Sequence, residues 1–272
     1  MRKRFILLID FSKTSKNLIE YGCDWASQEG AEVLLLHHTT VQIPAFTDNK
    51  GRERLIDEAN NEAEQKLREI ASDIIPPMVS VSYMATEQNL QSALNELLAQ
   101  SFENLVFAGL KKYGFIEKFF MKNTIIQTIE NTDNILVAIP NDLSDYSHEN
   151  IYVAVSDKFS LNLFEFNRML NFISNKETRL VFFNLAQPGE DTTEVEKILK
   201  ELADMFADKY KTFYEIYITD HPSQNIKNVI NTEINEILIV QRGGRMLTDH
   251  LFRKLLINDL VYEAKTPLIV LP

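Results

Sequence analysis

The run Arg242-Gly243-Gly244-Arg245 sets two glycines between two arginines at the end of an apolar stretch. Glycines let successive backbone N–H groups turn toward one point, and guanidinium groups add charge, so this spacing suits an anion-binding concavity. An ordinary β-to-α turn with solvated arginines has the same composition. Asp10-Phe11-Ser12 closes another apolar stretch, where Asp and Ser suit the start of a helix as well as a ligand contact. His37 and His38 are neighbours at the end of a third stretch. Adjacent strand residues point to opposite faces, so at most one of them serves a site. No Glu-x-x-His or cysteine cluster accompanies them, and no metal site is expected. Cys23 shares a helical stripe with Ile19 and Ala26, which predicts a buried, inert thiol. The chain lacks G-x-S-x-G, G-x4-G-K-[ST] and any meaningfully spaced His-Asp-nucleophile set, so no enzyme signature is found and no catalytic residue is named.

The elements that must position these residues are legible in the alternation of patterns. Arg4–Asp10, Glu32–Thr40, Met78–Thr86, Asn104–Leu110 and Asn134–Pro140 read as strands, several almost continuously apolar, as parallel strands covered on both faces should be. Helical periods separate them. The clearest runs from about Glu53 to Ile75, with Ile56, Ala59, Ala63, Leu67, Ile70 and Ile74 on one face and Pro76-Pro77 as its stop. The pattern then repeats. Asn150–Asp157, Arg179–Ala186, Lys211–Asp220, Glu236–Arg242 and Thr266–Leu271 form a second set of five strands. Helices between them centre on Leu161–Asn175, Thr193–Lys209, Ser223–Asn235 and Thr248–Lys265. The expected fold class is α/β: two tandem doubly wound, five-stranded parallel sheets. The expected domains are 1–141 and 149–272, with the polar stretch Asn141–Glu149 as a short linker.

Composition narrows the function. The chain has 272 residues, 45% hydrophobic and 25% charged, which excludes disordered and fibrous classes. With 28 basic against 39 acidic residues the net charge is −11, so nucleic acid and anionic membranes are not expected partners. Charge divides evenly, with 14 basic and 19 acidic residues in 1–141 and 14 and 20 in 142–272. The apolar run after Met1-Arg2-Lys3-Arg4 stops at Asp10, too soon for a signal peptide, and no stretch approaches bilayer-spanning length. One cysteine fits a reducing compartment. A cytoplasmic protein is expected.

Leu8-Ile9-Asp10-Phe11-Ser12 leading into a helix, a second strand ending Leu36-His37-His38 and a closing Asn134–Pro140 strand together resemble the universal stress protein family. Val153-Ala154-Val155-Ser156-Asp157 and Pro267–Leu271 repeat the frame, so the resemblance covers nearly the whole chain as a tandem pair. It implies strand order 3-2-1-4-5 in each half, pairing of the halves through their last strands as an internal pseudo-dimer, and a nucleotide-type pocket at the carboxyl ends of the central strands. In ATP-binding members an Asp ending the first strand faces the adenosine, and a G-x2-G-x9-G-[ST] loop after the fourth strand wraps the phosphates. Asp10 matches the first feature and Gly109 the first glycine. Lys112 replaces the second glycine, and Lys122-Asn123-Thr124 stands near the final pair. In the second half Ser156 takes the Asp position, Gln241 the first glycine, Gly244 keeps the second, and Lys254-Leu255 replace the last pair.

Three readings follow. The first is a non-catalytic stress-response or regulatory protein with degenerate pockets, acting through protein partners and requiring no cofactor. The second is an ATP- or AMP-binding protein that uses the first half, with Asp10 on the adenosine, Gly109, Lys112, Asn123 and Thr124 near the phosphates, magnesium accompanying ATP, and slow hydrolysis. The third places another small anion at Arg242, Gly243, Gly244 and Arg245. A homo-oligomer is compatible with each.

Overall fold

The computed structural model describes residues 1–110, 133–156, 160–173, 177–218, 220, 236–242 and 266–272. The first half runs β1 (Arg2–Leu8), α1 (Ser15–Glu29), β2 (Glu32–His38), α2 (Asn49–Ala71), β3 (Val81–Thr86), α3 (Leu90–Leu98), β4 (Phe102–Gly109) and β5 (Leu136–Ile139). The second runs β6 (Asn150–Ala154), α4 (Leu163–Leu170), β7 (Arg179–Ala186), α5 (Thr193–Phe206), β8 (Lys211–Ile218), β9 (Glu236–Gln241) and β10 (Leu268–Leu271). The helices expected over Ser223–Asn235 and Thr248–Lys265 lie outside the described residues.

Each half has the doubly wound order, and the two join edge to edge in one ten-stranded sheet, β3-β2-β1-β4-β5-β10-β9-β6-β7-β8. All pairings are parallel except β5 with β10, where Leu268, Ile269 and Val270 run antiparallel to Ala138, Val137 and Leu136. These four-residue strands are wholly buried, which is why they read as continuous apolar runs. The repeat extends to single hydrogen bonds. Ile9 N donates to Leu36 O and Val155 N to Phe183 O, both at 2.8 Å. Leu110 N donates to Ile139 O at 2.7 Å and Arg242 N to Leu271 O at 2.8 Å.

Boundaries moved where caps outweighed periodicity. α2 starts four residues before the expected Glu53 because Asp48 accepts a hydrogen bond from Gly51 N, and its last turn gives way after Ala71. Met78, expected to open β3, is solvent-exposed, and pairing starts at Val81. Helix α1 lies unusually close to β1: a Cβ on Gly22 would stand 2.7 Å from Leu7 Cδ2. Gly30 then ends α1 in the left-handed region, φ 64°, with its N–H on Ala26 O. Cys23 is fully buried in that layer, and burial pushes its thiol up to about 12.

The Asn141–Glu149 stretch, expected as a short polar linker between the halves, also carries buried residues. Tyr146 and His148 are both buried. Tyr146 stacks on Trp25 at 4.3 Å and 8°, meets Tyr21 edge-on at 5.7 Å, and stacks on His148 at 4.9 Å. Its N–H donates to Asp24 Oδ2. Trp25 in turn donates its indole N–H to Phe172 O, 2.8 Å away in the other half. The stretch is part of the aromatic core that ties the halves together.

Candidate functional site

In an open α/β sheet the crevice forms outside the carboxyl ends of the strands where the winding reverses, between β1 and β4 in the first half and between β6 and β9 in the second. At the first crevice Asp10 follows β1. Its Oδ1 accepts hydrogen bonds from Ser12 N at 2.9 Å and Ser15 Oγ at 3.1 Å, so the carboxylate organises the first turn of α1. Ser12 Oγ and Thr14 Oγ1 share a further bond at 2.9 Å. Gly109 stands opposite: a Cβ there would meet Thr14 Oγ1 at 3.8 Å and Leu18 Cδ2 at 3.9 Å, ordinary van der Waals contact. The crevice is therefore bordered by a glycine backbone and a hydroxyl cluster, groups that can hydrogen-bond a polar ligand.

Phe11 is the residue sequence reasoning passed over. It sits at φ 58°, the left-handed region that a bulky side chain adopts only under constraint. The constraint is visible. Its ring lies 4.1 Å from the His37 ring, and Lys66 Nζ stands 4.5 Å from its centroid. His37 Nδ1 is 2.7 Å from Ile9 O, and burial holds the imidazole below its ordinary range against the opposing pull of that carbonyl. His38 is exposed, so the two histidines part as strand alternation requires. The strain at Phe11 left a faint sequence signal, an aromatic between Asp10 and Ser12 where a turn must form. Lys66, on α2, left none.

The second crevice is built differently. Gln241 stands where Gly109 stands in the first half, one residue before the equivalent bonds of Leu110 and Arg242. Its Oε1 accepts from Asn162 N at 2.5 Å and its Nε2 donates to Ser160 O at 3.2 Å. The carboxamide thus clasps the loop from β6 to α4, at the position where the first half has a glycine without a side chain. Arg242 reaches the other half: Nη2 pairs with Asp133 Oδ1 at 2.7 Å. Lys112, Asn123, Thr124, Gly243, Gly244 and Arg245 lie outside the described residues. No group of three or more His, Cys, Asp or Glu side chains arranged for a metal occurs among the described residues. No helix of the described residues is long and apolar enough to cross a membrane.

A crystal structure of a universal stress protein from Archaeoglobus fulgidus superposes on this chain with a TM-score of 0.70, covering 98% of this chain and 97% of that one at 14% identity. The fold is that of a universal stress protein. A provisionally named universal stress protein from Pseudomonas aeruginosa gives a TM-score of 0.55 at 11% identity, covering 100% of this chain and 93% of that one. The cytoplasmic domain of a prokaryotic cation chloride cotransporter gives 0.51 at 12% identity, covering 99% and 95%. No protein-family model and no curated protein matches the sequence. The universal stress protein fold thus extends over the whole tandem, while a transporter domain shares it, so the residues of the crevices carry the functional argument.

Proposed function

We propose that this chain is a universal stress protein-like, non-catalytic regulatory protein of the cytoplasm, its units 1–141 and 149–272 packed as an internal pseudo-dimer. In this reading the second half holds no nucleotide and serves as scaffold and partner surface. The observation that carries it is the Gln241 clasp, which puts a side chain and two hydrogen bonds where a ligand-binding half needs open backbone. Two further observations support a non-catalytic role. The Asp10 carboxylate is engaged by Ser12 and Ser15, and the one thiol is buried and held protonated.

A second reading rests on Gly109 and the Thr14 hydroxyl: the first half binds ATP or AMP. The described residues fit such a ligand in part, with backbone that carries no side chain at Gly109 and the Lys66 ammonium over Phe11 nearby. Calorimetric titration of ATP with magnesium into nucleotide-free protein separates the readings. The expected result is no saturable heat up to about 1 mM, a free energy of about 4 kcal/mol. One site per chain, weakened by Asp10→Asn, which keeps the Ser12 N–H acceptor but removes the charge, moves the conclusion to the second reading. Two sites per chain overturn both.

A further inference from the structure

Strand β8 closes one end of the sheet, and among the described residues nothing pairs with its outer edge. Lys211 N donates to Thr178 O, which turns the main-chain groups of Lys211 inward toward β7. Strand alternation then turns the N–H and C=O of Thr212, Tyr214, Ile216 and Ile218 outward, an open hydrogen-bonding template. Beside the exposed Lys211 and Glu215, three large apolar side chains along it are wet: Phe213 is 42% exposed, Tyr214 39% and Ile218 62%, with Met205 at 56% on neighbouring α5. No proline or bulge interrupts it, and its one lysine stands at the first position. An arginine lies over an aromatic ring at both edges, Arg179 over Phe213 at 4.6 Å and Arg68 over Tyr83 at 4.4 Å, but only Ser82 of β3 is exposed.

We propose that β8 pairs antiparallel with β8 of a second copy of this chain, about a two-fold axis at Phe213. Only registers that set outward residues opposite outward residues complete the ladder, which restricts the axis to an individual residue. An axis at Glu215 opposes two carboxylates, and one at Tyr214 sets Phe213 against Glu215. The axis at Phe213 pairs Lys211 of each copy with Glu215 of the other, twice by symmetry, with the two phenyl rings between them. Thr212 and Tyr214 then exchange the main-chain hydrogen bonds. Lys211 already pairs with Glu177, and an ammonium has three donors, so the second carboxylate is accommodated. The outcome is a continuous sheet through two chains that covers the exposed apolar edge.

Charge swaps and one crosslink test the register. Sedimentation equilibrium should show a reversible dimer. Lys211→Glu and Glu215→Lys should each raise its Kd about tenfold by replacing two attractions with two repulsions, and the double swap should bring it back to within about twofold. Phe213→Cys should form an intermolecular disulfide on mild oxidation, because non-hydrogen-bonded antiparallel partners stand about 4.5 Å apart at Cα. Cys23 is buried and gives no background. Phe164→Cys, more exposed at 73% but away from the edge, should not crosslink. A monomer up to about 1 mM overturns the proposal. So does a dimer indifferent to the single swaps, or one that the double swap fails to restore.

Discussion

Tyr146 offers the sharpest test of how the halves are joined, because its ring and its hydroxyl are predicted to behave oppositely. The side chain is 5% exposed and stacks between Trp25 and His148. An aromatic of this size buries about 150–250 Å2, which at about 25 cal/mol per Å2 gives roughly 4–6 kcal/mol as an upper bound. Large-to-small aromatic substitutions in cores cost about 3–5 kcal/mol, so Tyr146→Ala should lose about that much. The hydroxyl is buried with no hydrogen-bond partner among the described residues. Removing a desolvated, unpaired group costs little, so Tyr146→Phe should lie within about 0.5 kcal/mol of the parent or stabilise it. Urea unfolding reports both effects through Trp25, the single tryptophan, whose indole touches the substituted ring. Tyr146→Ala should also shift the native emission, since it opens space on one indole face. A loss below about 1 kcal/mol for Tyr146→Ala would refute the aromatic tie between the halves. Equal losses for Ala and Phe would mean the hydroxyl has a partner that matters.

Acid should weaken the same junction. Burial holds His148 below its ordinary value, outweighing the pull of Glu29 and Glu149, so the unfolded chain binds that proton more readily than the folded one. His148 therefore contributes stability above about pH 6.5 that is lost as the pH falls through that value toward its folded pKa, and His37 acts in the same direction. Unfolding midpoints between pH 7.5 and 5 should drop in the parent and drop less in His148→Gln; identical slopes would count against a role for His148. Gln241→Ala should cost about 1–2 kcal/mol by releasing Asn162 N and Ser160 O, and hydrogen exchange should rise in the loop between β6 and α4 while β1 stays protected. Gly22→Ala should cost about 1–3 kcal/mol in thermal unfolding, because its methyl must displace Leu7 from a packed layer.

The sheet was legible in the sequence because its strands are buried on both faces and need unbroken apolar runs, so β4, β5, β9 and β10 could be read with little help from context. The repeat was legible for a related reason: the last β-α-β of each half must span the same sheet, which keeps Asn104 to Ile135 and Glu236 to Pro267 equally spaced. The burial within the junction was not legible, because its composition is polar overall and one aromatic in nine residues does not announce burial. Its partners, Trp25 and Tyr21, are more than a hundred positions away, and periodicity sees only neighbours. The same limit governs the crevices. Gln241 was visible as a lost glycine, yet a glutamine at a strand end reads equally as solvated, and only the fold shows its carboxamide bonded to both Ser160 O and Asn162 N. Asp10 is the converse. Its position suggested a ligand contact or a helix cap, and the bonds from Ser12 and Ser15 show that the carboxylate is already engaged at the start of α1. A nucleotide would thus have to share Asp10 with the helix it starts, whereas at Gly109 it would meet backbone with no side chain to move. If the first half binds anything, Gly109→Ala should therefore weaken binding more than Asp10→Asn does.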